Sequence, residues 1–448
     1  MRAVAVALML LVPVAGDAVF DRVVFDQGVI GQQNRIDIVT PAAPDLAAFG
    51  SHDIGVRTIT ATDRNRGDIL QTKEGGPTAR YDRTLTLEVW YPAALAPGQQ
   101  AGTSYRALTR DPAITATIHG RAVRDAAPAR TSTFPLVIIS HGYPGNRYLL
   151  SHLGENLASK GFVTVSIDHK DSTYDDQKGF ASTLYNRPLD QLFVLNEVDR
   201  LSKPGSGSFL SGIVDSSRTG LIGYSMGGYG VVNAVGGGYS EASVASQTSP
   251  PNRLLNERAA SNDSYRASID PRIKAAIAIA PWGMQTGFWD ADGLRGIKTP
   301  MLFVAGNVDQ VAGYETGTRA LYTGAVNADR YLLTFLNAGH NAAAPYPAPS
   351  EVLNNPAAQP GAFAHYADAV WDTTRMNNIL QHFATAYFGL YLKGEADMQT
   401  FFNLVPQGKD AVYSMDREGK PTATHTYWKG FKRGTAVGLV LEHASPQR

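Results

Sequence analysis

A chain of 448 residues with 44% hydrophobic content carries enough apolar side chain to bury a large core, which sets a disordered chain aside. Its 40 Lys+Arg balance 40 Asp+Glu, so no net charge draws it toward nucleic acid, an anionic membrane surface or a polyanion, and a neutral or apolar ligand fits better. With no cysteine, disulfides, thiolate nucleophiles and Cys-based metal sites are excluded together, and any nucleophile is a hydroxyl, carboxylate or amine.

Arg2 precedes an apolar run over 3–15 that ends in small residues around Gly16 and Ala18, the pattern of a signal peptide over 1–18. A buried N-terminal strand is the alternative. The first reading implies a periplasmic or secreted protein. The run falls short of the about 20 apolar residues that a spanning helix needs, so no stable membrane insertion is expected.

Residues 19–135 read as β-rich, with 85–91 alternating Leu, Leu, Val and Tyr against Thr and Glu as antiparallel strands do. From 136 onward, near-continuous apolar runs recur at 136–140, 162–167, 219–224, 273–280, 301–305 and 331–336. Strands covered by helices on both faces require such runs. Segments 151–160, 188–201 and 226–235 space their apolar residues as amphipathic helices do. The expectation is an α/β catalytic core over 136–393, built on a mostly parallel, doubly wound sheet with an antiparallel N-terminal part. Inside it, 236–270 shifts to Gly, Ser, Asn and Ala and reads as a lid-like insertion. A long helical pattern covers 363–393. The turn-rich remainder, 394–448, is an extension expected to pack on the core.

The chemistry centres on Gly223-Tyr224-Ser225-Met226-Gly227, which follows an apolar strand and opens a small-residue helix. A strand-to-helix turn this sharp needs glycine two residues either side of the serine, and it lifts the hydroxyl above the sheet. The Met226 N–H then lies at the helix N-terminus, where an oxyanion is stabilised. A second donor is expected from the loop His141-Gly142-Tyr143-Pro144-Gly145, and the Tyr143 N–H is assigned to it; His141 itself reads as an anchor of that loop.

A hydroxyl nucleophile needs a general base, and the base needs an acceptor that fixes its tautomer. Asp309 and His340 each follow a predicted strand, on the carboxyl side of the sheet where sites form. Competing acids are Asp290 and Asp292. Competing histidines are His365 and His382, both inside the predicted 363–393 helix, where a surface position is the simpler reading. Trp282 and Trp289 flank the loop after the 273–280 strand and serve equally as walls of a substrate pocket or as core cover. Asp168, His169 and Asp171 cluster after the 162–167 strand but lack a companion ligand group at metal-site spacing, so they read as solvated loop charges. No metal and no cofactor is called for.

With these residues in place, the chain resembles the α/β-hydrolase superfamily, and more closely its dienelactone-hydrolase-like and platelet-activating-factor-acetylhydrolase-like serine esterases. The resemblance runs over roughly 85–393 and is carried by Val89-Trp90-Tyr91-Pro92-Ala93, Ser140 to Gly145, Asn186-Arg187-Pro188-Leu189-Asp190 and the turn at Ser225. Pro188 is expected near a helix start, where its missing N–H costs least. The order Ser225, Asp309, His340 is the order of that superfamily. Two departures stand out. Dienelactone hydrolases proper use cysteine, absent here, and the acetylhydrolases place the acid closer behind the nucleophile; the Asp309 to His340 separation is instead similar to that of cutinase-like and polyester-hydrolysing relatives. The resemblance implies a serine hydrolase that cleaves a small-molecule or polymeric carboxylic ester through an acyl-enzyme. Amidase, peptidase or acyltransferase chemistry on the same three residues stays open, as does an inactive binding protein on the same scaffold.

Overall fold

The apolar runs form strands in a computed structural model that describes residues 34–353, 355, 357–358 and 361–447. The signal-peptide segment 1–18 lies outside the described residues.

In chain order the strands are β1 (Asp53–Gly67), β2 (Arg80–Ala94), β3 (Thr103–Leu108), β4 (Thr115–Gly120), β5 (Val123–Arg124), β6 (Ala127–Pro128), β7 (Phe134–Ser140), β8 (Val163–Asp168), β9 (Val214–Tyr224), β10 (Ile273–Ile279), β11 (Met301–Gly306), β12 (Arg330–Phe335) and β13 (Leu439–Ala444). The helices are α1 (Ser151–Ala158), α2 (Phe180–Ser202), α3 (Met226–Ala234), α4 (Glu241–Val244), α5 (Asp263–Ala267), α6 (Ala291–Arg295), α7 (Arg319–Gly324), α8 (Ser350–Leu353) and α9 (Thr373–Phe388). One 11-stranded sheet runs β13-β12-β11-β10-β9-β7-β8-β2-β1-β5, with β6 on β2, while β3 and β4 pair apart from it. Strands β12 to β8 along this order are parallel; β13 closes one edge antiparallel, and the long β1–β2 pair extends the other edge antiparallel.

Alternate residues of the central strands feed two cores. Val137, Ile139, Ile277 and Leu333 face α1 and α9. Leu136, Ile138, Ala278 and Leu332 face α2, α3, α6 and α7. Burial on both faces is the reason these strands are apolar without alternation. The expected mostly parallel sheet with an antiparallel N-terminal part is present, and it is the α/β-hydrolase architecture.

Four expectations are corrected. Pro188 does not start a helix: α2 begins eight residues earlier and Pro188 lies in its interior. A proline there denies an N–H to the carbonyl of Leu184, and the Tyr229 hydroxyl donates to that carbonyl instead, at 3.2 Å. The 363–393 helix starts only at Thr373, where the Asp372 side chain caps it by accepting from the Arg375 N–H; 363–365 is a short 3₁₀ turn. His382 is buried in α9, accepting from the Leu46 N–H, rather than on a surface. The 394–448 stretch does more than pack on the core, since β13 completes the sheet and Trp428 and Phe431 enter the α9 side of it.

Candidate active site

At the end of β9, Ser225 takes φ 53° and ψ −113°, a left-handed conformation that costs a non-glycine residue about 1–3 kcal/mol. The surroundings hold it there. Its N–H donates to Ile279 O at 2.8 Å, and its carbonyl accepts from Tyr229 N–H at 3.0 Å and Trp282 N–H at 3.1 Å. The two flanking glycines are sterically required: a Cβ on Gly223 would lie 2.2 Å from Gly227 O, and one on Gly227 2.1 Å from Ser140 O.

His340 follows β12 and Asp309 follows β11, and the structure brings both to Ser225. His340 Nε2 lies 2.9 Å from Ser225 Oγ and His340 Nδ1 lies 2.8 Å from Asp309 Oδ2. The other Asp309 oxygen accepts from the N–H groups of Val311 at 2.8 Å and Ala312 at 2.9 Å. Burial alone would raise the Asp309 carboxyl; the His340 ring and these two amides outweigh it and hold the group below the usual carboxylate value. An ionised Asp309 sets the tautomer: Nδ1–H donates to the carboxylate, and Nε2 is left to accept the Ser225 hydroxyl proton.

The competing acids and histidines lie elsewhere. Asp290 caps α6 by accepting from Gly293 N–H, and Asp292 pairs with Arg295 on the surface. His365 stands in the 3₁₀ turn on the cavity wall and bonds Tyr174 Oη at 2.8 Å through Nε2.

Behind the His141–Gly145 loop lies a buried polar network. His169 N–H donates to His141 Nε2 at 3.2 Å, so His141 carries its proton on Nδ1 and donates to Gly142 O at 2.7 Å. Arg187, from α2, donates to His141 O and Ser172 Oγ. Because the Gly142 carbonyl is held from behind, the Tyr143 N–H on the opposite edge of the same trans peptide faces away from His141. Among the described residues, neither the Tyr143 nor the Met226 N–H donates to a protein acceptor. Asp168, His169 and Asp171 are therefore not solvated loop charges. Asp168 pairs with Arg147, Asp171 with Arg83, and His169 bridges Ser140 Oγ at 2.8 Å and Asp190 at 3.0 Å. They do not gather as a metal site either: among the described residues no cluster of three His, Asp or Glu side chains is arranged to hold an ion.

Ser225 and His340 open into a cavity of about 580 Å³ shared with Tyr143, Arg110, His365 and Asp368. Trp289 is not part of its wall. It is buried against Tyr229, Tyr239 and Phe288, with its indole N–H on Gly237 O, because a ring that size completes the core beneath α3. Trp282 is half-buried and also stands off the wall, joined to Tyr143 edge-on through Phe180. The 236–270 insertion lends none of its residues to this cavity. Its place is taken by 361–369, strapped down by Asp368, which accepts from Gly339 N–H beside His340, and by Asn341, which donates to Ala364 O and Ala367 O and accepts from Tyr224 Oη. Sequence reasoning missed Arg110, Asn341 and Asp368; none carries a local motif, since each acts on residues brought close only by folding.

Two family models match parts of the chain: a PET hydrolase-like model over 116–250 and platelet-activating factor acetylhydrolase isoform II over 47–182. Cutinase 2 of Thermobifida cellulosilytica is 28% identical over 195 residues, 44% of this chain and 55% of the relative. A bis(hydroxyethyl) terephthalate hydrolase of Streptomyces coelicolor is 28% identical over 218 residues, 48% of this chain and 53% of that protein. The chain thus spans about half the length of the curated relatives it matches. A ferulic acid esterase structure from Streptomyces cinnamoneus aligns with a TM-score of 0.52 at 22% identity, covering 79% of this chain and 94% of that one, which is a likeness of fold.

Proposed function

From an α/β-hydrolase fold similar to these esterase families, we propose that the chain is a serine hydrolase cleaving carboxylic esters, with Ser225 as nucleophile. The observation that carries this is the unbroken hydrogen-bonded row from Asp309 through His340 to Ser225, opening directly into a cavity. His340 Nε2 takes the hydroxyl proton as Ser225 Oγ attacks the ester carbonyl, and Asp309 stabilises the imidazolium that results. The carbonyl oxygen, now negative, rests on the N–H groups of Met226 and Tyr143. His340 returns its proton to the leaving alcohol oxygen as the C–O bond breaks. Water then enters, gives a proton to His340 and releases the acid from Ser225 by the same steps reversed.

Exposed Val308 and Val311 at the mouth, with Phe363 and Val370 flanking it, suit an apolar ester, small or polymeric, and the cutinase and the bis(hydroxyethyl) terephthalate hydrolase to which the chain is similar are both named for ester cleavage. Export to the periplasm or beyond rests on the N-terminal sequence. Among the described residues, no helix is long and apolar enough to cross a membrane.

Turnover of p-nitrophenyl esters by the wild type and by Ser225→Ala tests the reading. The alanine variant is expected to fold and to lose activity by at least about a thousandfold; wild-type turnover in that variant would refute it. Running matched amides beside the esters, with and without an added alcohol acceptor, decides between hydrolase, amidase and acyltransferase.

A further inference from the structure

Arg110 brings an unanswered charge to the Ser225 cavity. It lies in the turn between β3 and β4, half-buried, and its backbone N–H donates to Tyr366 Oη at 2.9 Å, which fixes the turn against the 361–369 wall. Among the described residues no acceptor meets its guanidinium, although it lines the same cavity as Ser225 and His340. The other arginines drawn inside this molecule are treated differently. Arg83 has Asp190 and Asp171, Arg147 has Glu88 and Asp168, and Arg187 has the His141 carbonyl and Ser172. A guanidinium partly withdrawn from water without an acceptor is costly, and the cost is recovered when a carboxylate supplies both oxygens.

The rest of the wall does not answer that charge. Asp368 is the one carboxylate among the described lining residues, and its oxygens accept from the N–H groups of Gly339, Val370 and Trp371. The two histidines on the wall, His340 and His365, supply no negative charge. Burial chiefly, and then the nearby Arg110 cation and His340, keep His365 below the ordinary histidine range, which places the Arg110 charge within reach of the cavity groups.

We infer that this cavity takes esters bearing a free carboxylate, and that Arg110 is the residue that binds it. The inference rests on the reading of Ser225 as an ester-cleaving nucleophile. A carboxylate on the acyl half or on the alcohol half presents the same chemistry to Arg110, and the substrates below separate the two.

The test compares kcat/KM within two pairs: mono-4-nitrophenyl glutarate against its methyl ester, with the carboxylate on the acyl side, and 4-acetoxybenzoate against its methyl ester, with the carboxylate on the alcohol side. In at least one pair, Arg110→Gln is expected to lower the ratio of charged to neutral substrate by about 10- to 100-fold, the worth of a charge-assisted hydrogen bond. Arg110→Lys, which keeps the charge but not the planar fork, is expected to restore part of the ratio. Unchanged ratios in both pairs would overturn the inference while leaving ester hydrolysis intact. Inertness of the wild type toward every substrate would instead overturn the reading on which it rests. If the glutamine variant fails to fold, competitive inhibition of the wild type decides: benzoate inhibiting more strongly than benzamide supports the inference, and equal inhibition overturns it.

Discussion

At the scale of single residues, the site depends on which atom holds each proton. Asp309 gives one oxygen to two backbone amides and the other to His340, so Asp309→Asn would keep the loop and reverse the last bond. The new amide would donate to His340 Nδ1, moving the ring proton to Nε2, where it faces Ser225 as a donor. A fall in kcat of about 10⁴-fold with little change in KM is expected from steady-state ester kinetics. His141 acts one step further back, as a positioning residue. His141→Leu would remove the shortest bond to Gly142 O, leaving it only the 3.4 and 3.5 Å contacts from Arg187, and so loosen the peptide carrying the Tyr143 N–H. The expected loss is about 10²-fold, carried by kcat rather than KM, because an oxyanion donor acts on the transition state more than on bound substrate.

Among the elements, α2 shows how far local sequence reaches. A proline in the interior of a helix deprives the carbonyl four residues earlier of its partner, and here Tyr229 on α3 supplies one to Leu184. Tyr229→Phe would leave that carbonyl buried and unbonded, at about 1–3 kcal/mol in chemical denaturation. The penalty should shrink in a Pro188→Ala background, where the backbone supplies the missing N–H. From sequence, Pro188 looked like a helix start because the compensating hydroxyl comes from another helix. The central strands were legible for the opposite reason, since burial on both faces writes itself into consecutive residues such as Val137, Ile138 and Ile139. The turn at Ser225 was legible too: Gly223 and Gly227 are required by backbone contacts within a few residues of the serine or at the neighbouring strand end.

Across the whole molecule, the antiparallel edge and the parallel core are joined through one buried carboxylate. Asp190 on α2 accepts from Arg83 on β2, Arg66 on β1 and His169 at the end of β8. Burial opposes its charge, but Arg83, His169 and Arg66 outweigh it and hold the group far below the ordinary carboxylate value of 3.8. A depressed folded-state value means that this stabilisation is complete above the ordinary value and is lost as pH falls below it. Asp190→Asn is expected to cost about 1.5–3 kcal/mol at neutral pH, since Arg83 and Arg66 each lose a buried carboxylate partner while Arg83 keeps Asp171 and Arg66 keeps Asp63. Thermal unfolding followed across the acid range should then show a shallower decline in the variant than in the wild type. No sequence pattern announced this network, nor Arg110 on the cavity wall, because each joins residues from different strands and turns whose proximity exists only in the folded chain. Ser225, Asp309 and His340 are just as far apart in sequence, yet each stands directly after a strand of one parallel sheet, and that shared position made them findable.

The assignment of Ser225 is tested most directly by intact-mass measurement of the protein after treatment with a fluorophosphonate, followed by peptide mapping. One adduct per chain, located on Ser225 and formed in parallel with the loss of ester turnover, is the expected result. A fully active protein that takes no label, or one labelled at a different residue as activity disappears, would contradict it.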